Sequence, residues 1–329
     1  MRILAKVFFP LILLLSACGP VTPPTPVPQE YQDFAYQMVW APDDSMIALT
    51  TNTGLYVYDT KTYKQLAAIH ELAGGTAVFS RNYLAAVNHQ KLFVWDLKDF
   101  RLLFRQEAKD GTYFQNVAIS PDEKTLATAE QKQVRYWSLA HGTLIAEIPG
   151  ANFISDMVFS ATDRLILADP YLGTVQEWDV QARKEVRAFG VSKPVVNFNL
   201  SQDGKLVVVD YGDNGFETWN VETGQLDGQY PDIIGAPGWN NLSRDGQRVV
   251  VWGYGIGEAS GLSVWELPGY KKISQFPLPI VHGDGWRCGA LNSDGTILAA
   301  SDNQGYIYFY NLKSNEKVGE IFLSYKFMA

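Results

Sequence analysis

Cysteine is almost missing from the 329 residues: Cys18 and Cys288 are the only two. Cys18 closes the amino-terminal leader described below, which leaves Cys288 without a partner for an internal disulfide. Within an apolar strand it reads as a buried, inert thiol. Histidine is nearly as scarce. His70, His89, His141 and His282 are scattered without ligand spacing, and no His-Glu-x-x-His, paired-cysteine or nucleophile-elbow motif occurs. The reading is therefore no metal, no cofactor and no enzyme. Basic residues are in deficit, 27 against 35 acidic, for a net charge of −8. Such a surface is a poor match for nucleic acid or for anionic lipid. Spanning apolar runs are lacking too, since Val7–Leu15 is too short to cross a bilayer.

What that short run does fit is the core of an export signal. Arg2 and Lys6 precede it and Leu15-Ser16-Ala17-Cys18 follows. The tetrapeptide resembles the bacterial lipobox. The resemblance implies that residues 1–17 are removed and that Cys18 is lipidated as the mature amino terminus. Loss of Arg2 and Lys6 would take the net charge from −8 to −10. Residues 18–30 then form a linker with five prolines between Gly19 and Pro28. That composition supports neither a helix nor a sheet ladder and predicts an extended, polyproline-like stalk.

The rest, 31–329, is built on one repeat. Its clearest copy runs over Val196–Gly224: an apolar strand, the turn Ser201-Gln202-Asp203-Gly204, the strand Leu206–Val209, a Gly-rich loop, and a strand ending in Trp219-Asn220. The closing aromatic recurs as Tyr58, Trp95, Trp137, Trp178, Trp219, Trp265 and Tyr310, at spacings of 37, 42, 41, 41, 46 and 45. Ser-Pro-Asp or Ser-x-Asp-Gly turns recur at Ser120, Ser201 and Ser243, with degraded copies at Ser80 and Ser160. A period near 40–45 with an aromatic followed by a polar or acidic residue marks propeller blades. β-Branched and aromatic residues suit short strands, and Ser, Asp and Gly suit tight turns. The prediction is an all-β, seven-bladed propeller of four-stranded antiparallel blades. All four strands of each blade follow in sequence order, so closure needs only packing of blade seven on blade one.

These repeats resemble the WD-repeat family of β-propellers over Tyr31 to Leu323, with Trp95-Asp96 and Trp178-Asp179 as the literal dipeptides. The family's Gly-His pair is absent from every repeat, so its Asp–His–Ser–Trp hydrogen-bond network is not expected. The Ser-x-Asp-Gly turns are also similar to the sialidase Asp-box. They lack its downstream glycine and aromatic, and no arginine triad accompanies them.

Loop length varies in one class of position. The second-to-third-strand loops are short in blades two and three and grow to Asp169–Gly173, Tyr211–Gly215 and Trp252–Gly261 in blades four, five and six. The connections entering blades six and seven, with Trp239 and with His282–Arg287, are enlarged as well. In a propeller both classes emerge on one face, and insertions on one face of a repeat fold commonly mark its binding side. The candidate partner-binding residues are Trp252, Tyr254, Trp286 and Arg287, then Tyr171, Tyr211, Trp239 and Asp284. Aromatics would supply contact area and Arg287 a bidentate fork; the alternative is that the aromatics only cover sheet ends. Gly253, Gly255 and Gly257 join two strands and open no helix, which argues against a phosphate loop.

The expectation is thus a lipid-anchored, extracytoplasmic binding or scaffold protein, at the cell surface or in the periplasm, with a protein or peptide partner. A carbohydrate-binding protein using the same aromatics is the alternative. A hydrolase using Asp213, Glu258 and Asp284 is a further one.

Overall fold

The computed structural model describes residues 33–323 apart from 110, 131–132, 150–153, 192–194, 196, 212–214, 232–241, 254–260, 268, 270 and 277–285. Seven antiparallel sheets follow one another in strict chain order, with no strand exchanged between them. Six are four-stranded. Blade six has the strands Arg248–Gly253, Gly261–Glu266 and Lys271–Phe276, and the single bridge Leu242↔Val249 stands at its innermost position. Among the described residues one short 3-10 turn, His70–Leu72, is the only helix.

The second and third strands of each blade are wedged between neighbouring blades. Their apolar runs are therefore close to continuous, as in Leu84–Val87 and Leu92–Trp95, rather than alternating. Exposure on alternate residues survives in outer strands such as Arg101–Glu107 and Lys184–Gly190, which have one wet face. The ladder between third and fourth strands is bulged in every blade, always next to the repeated aromatic: Tyr58, Trp95, Trp137, Trp178, Trp219, Trp265 and Tyr310. A bulge twists the outermost strand and spoils its free edge as a template for another chain. Trp95, Trp137 and Tyr58 are buried; Trp178, Trp219, Trp265 and Tyr310 are half-buried. Without the histidine network, the indole N–H groups find other acceptors. Trp137 donates to Thr128 (2.9 Å), Trp178 to Gln176 (3.1 Å), Trp219 to Glu217 (3.1 Å) and Trp265 to Ser263 (2.8 Å).

The first turns keep the chemistry their residues predict. Ser120, Ser201 and Ser243 donate to Asp122, Asp203 and Asp245 at 2.6–2.7 Å, and each aspartate accepts a backbone N–H two residues on. These are Asx turns. Blade four keeps a left-handed residue at Asp163 despite its degraded sequence.

Neighbouring blades are matched by size. In six blades the turn before the fourth strand ends on a left-handed residue: Tyr63, Phe100, Gly142, Arg183, Gly224 and Asn315. A bulky side chain at positive φ costs about 1–3 kcal/mol unless its surroundings hold it there. What holds Tyr63 is blade seven. A Cβ on Gly319 would fall inside the Tyr63 ring, whose hydroxyl donates to Val318 O (3.3 Å) and whose face meets Phe309 at 4.9 Å. Where the turn residue is glycine the bulk is on the other side: Phe104 lies against Gly142 and Phe189 against Gly224. Phe100 joins the apolar cluster that includes Ala67, and Arg183 reaches Ile145 O (3.3 Å). At three seams, Tyr63 on Gly319, Phe104 on Gly142 and Phe189 on Gly224, a large side chain thus meets a glycine.

The innermost strands are stapled by side chains. Gln37 accepts from Ala77 N (2.9 Å), Thr76 donates to Gln115 O (3.4 Å), Asn116 donates to Ser155 O (3.2 Å), and Asp156 accepts from Leu200 N (2.7 Å). Cys288 Sγ completes the series on Ala35 O (3.3 Å). All five stand three residues before the end of their strand. They satisfy inner-edge backbone groups that no further strand can reach. Trp40 adds a bond to Ala290 O (3.2 Å), and Asp44 takes the N–H and hydroxyl of Ser293 and the amide of Asn292. The ring thus closes by packing of blade seven on blade one, as the strand order predicts. Cys288 is buried there, its thiol pushed up to about 12 by desolvation.

Replacing Gly319 with alanine should lower stability by about 1–3 kcal/mol, because Tyr63 must leave its slot. The double variant Gly319→Ala/Tyr63→Gly should lose less than the sum of the two single changes, read from urea unfolding midpoints.

Candidate functional site

Antiparallel order puts the second-to-third-strand turns and the blade-to-blade connections on one face, here called the insertion face. The first-to-second and third-to-fourth turns lie on the other. On the insertion face the best-defined candidate is Tyr171. Asp169, buried, accepts from the backbone N–H of Tyr171 (2.9 Å) and Leu172 (3.0 Å), and Gly173 takes φ +62° to close the turn. That geometry pushes Tyr171 out to 79% exposure and Leu172 to 54%. Two adjacent large side chains thus stand out from the turn, which a buried carboxylate holds.

Trp252 lies in the second strand of blade six, opposite Leu262 and one residue short of that strand's end. Trp286 opens the inner strand of blade seven opposite Asp302. Arg287 is the extra residue of a β-bulge, unpaired between Trp286↔Asp302 and Cys288↔Ser301. Tyr36 and Gln115 hold the same bulge position in blades one and three. The structure thus brings Trp252, Trp286 and Arg287 to the insertion-face ends of adjacent blades. Tyr254, Trp239 and Asp284, with Asp213, Glu258 and Cys18, lie outside the described residues.

Tyr211 is a different matter. It is only 5% exposed, and its hydroxyl donates to Glu217 at 2.6 Å. Glu217 also accepts from Gln229 (3.0 Å) and Trp219 (3.1 Å), so the phenol is part of a buried polar network inside blade five. Burial, then the adjacent carboxylate, raises its pKa. Its ring has no surface to give a partner. A tyrosine just past the end of a strand reads as loop in sequence, yet strand alternation carries this one inward. Blade three has a comparable buried pair: Glu130 and Arg135 meet at 2.5 Å, and Arg135 also reaches Glu147 (2.8 Å). Desolvation still raises the Glu130 pKa against the pull of Arg135.

Asp156 was missed from the sequence. It projects into the axial channel, half-buried, beside a cavity of about 60 Å³ lined also by Gln37, Thr76, Asn116 and Asn197. Its oxygens accept from Leu200 N and from Met157 N (2.8 Å), but enclosure within the ring outweighs both and pushes its pKa up to about 6. The signal was present as a polar residue recurring at period 39–40 across Gln37, Thr76, Asn116 and Asp156. A second cavity, about 380 Å³, lies on the outer flank between blades five and six and includes Asp203, Thr218, Tyr230 and Gln247. Tyr270, the residue before the fourth strand of blade six, lies outside the described residues.

Among the described residues no group of three or more His, Cys, Asp or Glu could hold a metal ion. His70 bonds Thr53 O (3.2 Å), and His89 rests against Tyr113.

No protein-family model matches the chain. It is similar to periodic tryptophan protein 2 of Arabidopsis thaliana, 29% identical over 184 residues, which cover 53% of this chain and 20% of that protein. It is also similar to a WD repeat-containing protein 55 homolog of Drosophila persimilis, 25% identical over 317 residues covering 88% and 58% of the two. Apoptotic protease-activating factor 1 of Rattus norvegicus is 22% identical over 298 residues, 86% of this chain and 22% of that one. The chain spans less than two thirds of the length of these curated relatives. With the seven-bladed ring, the likenesses support a WD-repeat β-propeller.

Asp156 makes a sign-definite prediction. A carboxylic acid with a native pKa near 6 against an ordinary 3.8 favours the fold below pH 3.8 and loses that contribution as pH rises through 6. Asp156→Asn should remove this slope. The difference in urea midpoint between variant and parent should grow in the variant's favour from pH 4 to pH 6.5 and level off above.

Proposed function

We propose that this chain is a lipid-anchored, extracytoplasmic scaffold that presents the insertion face of a rigid propeller to a protein partner, by binding and not by catalysis. The observation that carries the reading is the concentration of enlarged, aromatic-bearing loops on that face over blades four to seven, while the opposite face keeps uniform short turns. The exposed Tyr171–Leu172 pair supports it, and so does the similarity to WD-repeat proteins. Trp252, Trp286 and Arg287, at strand ends of blades six and seven, are the next candidate contacts. The anchor rests on the leader and Cys18 alone.

Two experiments test the two halves. Cys18→Ser should abolish incorporation of labelled fatty acid and release the chain from membranes; a parent chain that takes up no lipid contradicts the anchor. The double variant Trp252→Ala/Trp286→Ala, folded by its unfolding midpoint, should lose a defined protein partner by about tenfold or more, as removal of two interface aromatics does. Equal retention by parent and variant would move the site off this face. Quenching of tryptophan fluorescence by soluble sugars, with no protein retained, would favour the carbohydrate reading.

A further inference from the structure

The bulge between third and fourth strands leaves one residue of each outer strand without a ladder partner. In six blades that extra residue is aliphatic: Leu66, Leu103, Ile145, Val186, Ile273 and Val318. In blade five it is Asp227. Leu103 and Ile273 join apolar clusters shared with the following blade, and a carboxylate cannot take that part. The next residue, Gly228, adds no bulk either. A Cβ there would come within 2.7 Å of the Tyr230 hydroxyl and 3.0 Å of the Thr218 hydroxyl. The seam between blades five and six keeps the cavity of about 380 Å³ that Asp227 lines.

That volume falls within the range of small-ligand sites, about 300–1,000 Å³. The walls select the chemistry. Leu206 and Leu267 supply apolar surface. Asp203 and Asp245 each already accept a hydroxyl and a backbone N–H from their own turns. Lys205 stands 3.6 Å from Asp203. Asn220 accepts Thr223 N on its oxygen (2.8 Å), which leaves its amide hydrogens to the cavity, and Gln247 brings a second amide from blade six. An anion is repelled by three carboxylates against one lysine. An apolar ligand would strand Asp227 and the amides away from water. A simple cation meets Lys205 and finds two of the three carboxylates engaged. We propose that this seam cavity is a binding site for a neutral, hydroxyl-rich ligand, a sugar of one or two rings. Ring hydroxyls bond Asp227, Lys205 and the amides of Asn220 and Gln247, and a C–H face rests on Leu206 and Leu267. The site lies on the flank of the ring, apart from the insertion face, and depends on neither the protein partner nor the lipid anchor.

The test titrates the full chain with glucose, galactose, mannose, N-acetylglucosamine, cellobiose and lactose, and with methylammonium as a charged control. Binding is read by calorimetry and by the rise in urea midpoint that a ligand of the folded state produces. At least one sugar should bind at millimolar concentration or below. Asp227→Leu restores the residue type of the other six bulges and should fold at least as well as the parent. It should weaken that sugar by about tenfold or more, as loss of a hydrogen bond to a charged group does. Asp227→Asn keeps an acceptor without the charge and should weaken it less. The variant Trp252→Ala/Trp286→Ala should bind the sugar like the parent. Absence of sugar binding to the parent, preference for methylammonium, or binding unchanged in Asp227→Leu overturns the proposal. Sugar binding lost in the tryptophan variant and kept in Asp227→Leu overturns it too, and places the sugar on the insertion face.

Discussion

A ring of seven sheets closes only if every seam fits, and here the fit is set by pairing bulk with its absence. Tyr63 occupies the room that Gly319 leaves, while Phe104 and Phe189 occupy the room left by Gly142 and Gly224. A bulky residue at positive φ and a glycine inside an outer strand are each unfavourable alone. Across a seam they become one well-packed contact. The inner staples apply the same logic to polar groups, because Gln37, Thr76, Asn116, Asp156 and Cys288 satisfy edge atoms of the adjoining blade. Such contacts hold the chain in one closed form, and a rigid ring is what allows loops on its face to be placed reproducibly.

Polar groups inside the blades are spent on that rigidity. Glu217 gathers Tyr211, Trp219 and Gln229, and Glu130 pairs with Arg135. Partly satisfied networks of this kind would be costly, whereas saturated ones specify a single packing. On the proposed reading, recognition falls to turns and strand ends on the insertion face. Tyr171 and Leu172 are lifted outward by the turn that Asp169 caps.

Much of the fold was legible because its determinants are local. The aromatic period, the Ser-x-Asp turns and the strand order all follow from residues close in sequence, and the blade count and mode of closure came with them. Two things were hidden by being non-local. Seam complementarity joins positions such as Tyr63 and Gly319, 256 apart in sequence, so neither residue looks unusual alone. The inner polar ring was written at period 39–40 but overshadowed by the stronger tryptophan signal. Tyr211 was misjudged since one step of strand alternation decides between loop and core. In blade six the innermost position is a bridge at Leu242 where a full strand was expected, and residues 232–241 ahead of it lie outside the described residues.

The central claim is that one face of a closed ring does the binding. Hydrogen–deuterium exchange of the full chain, compared with and without membranes from its own source, tests it most directly. The account predicts added protection over residues 168–175 and at the insertion-face ends of the strands carrying Trp252 and Trp286, with none over the first turns at Ser120, Ser201 and Ser243. Protection confined to those first turns, or spread evenly around the ring, would contradict it.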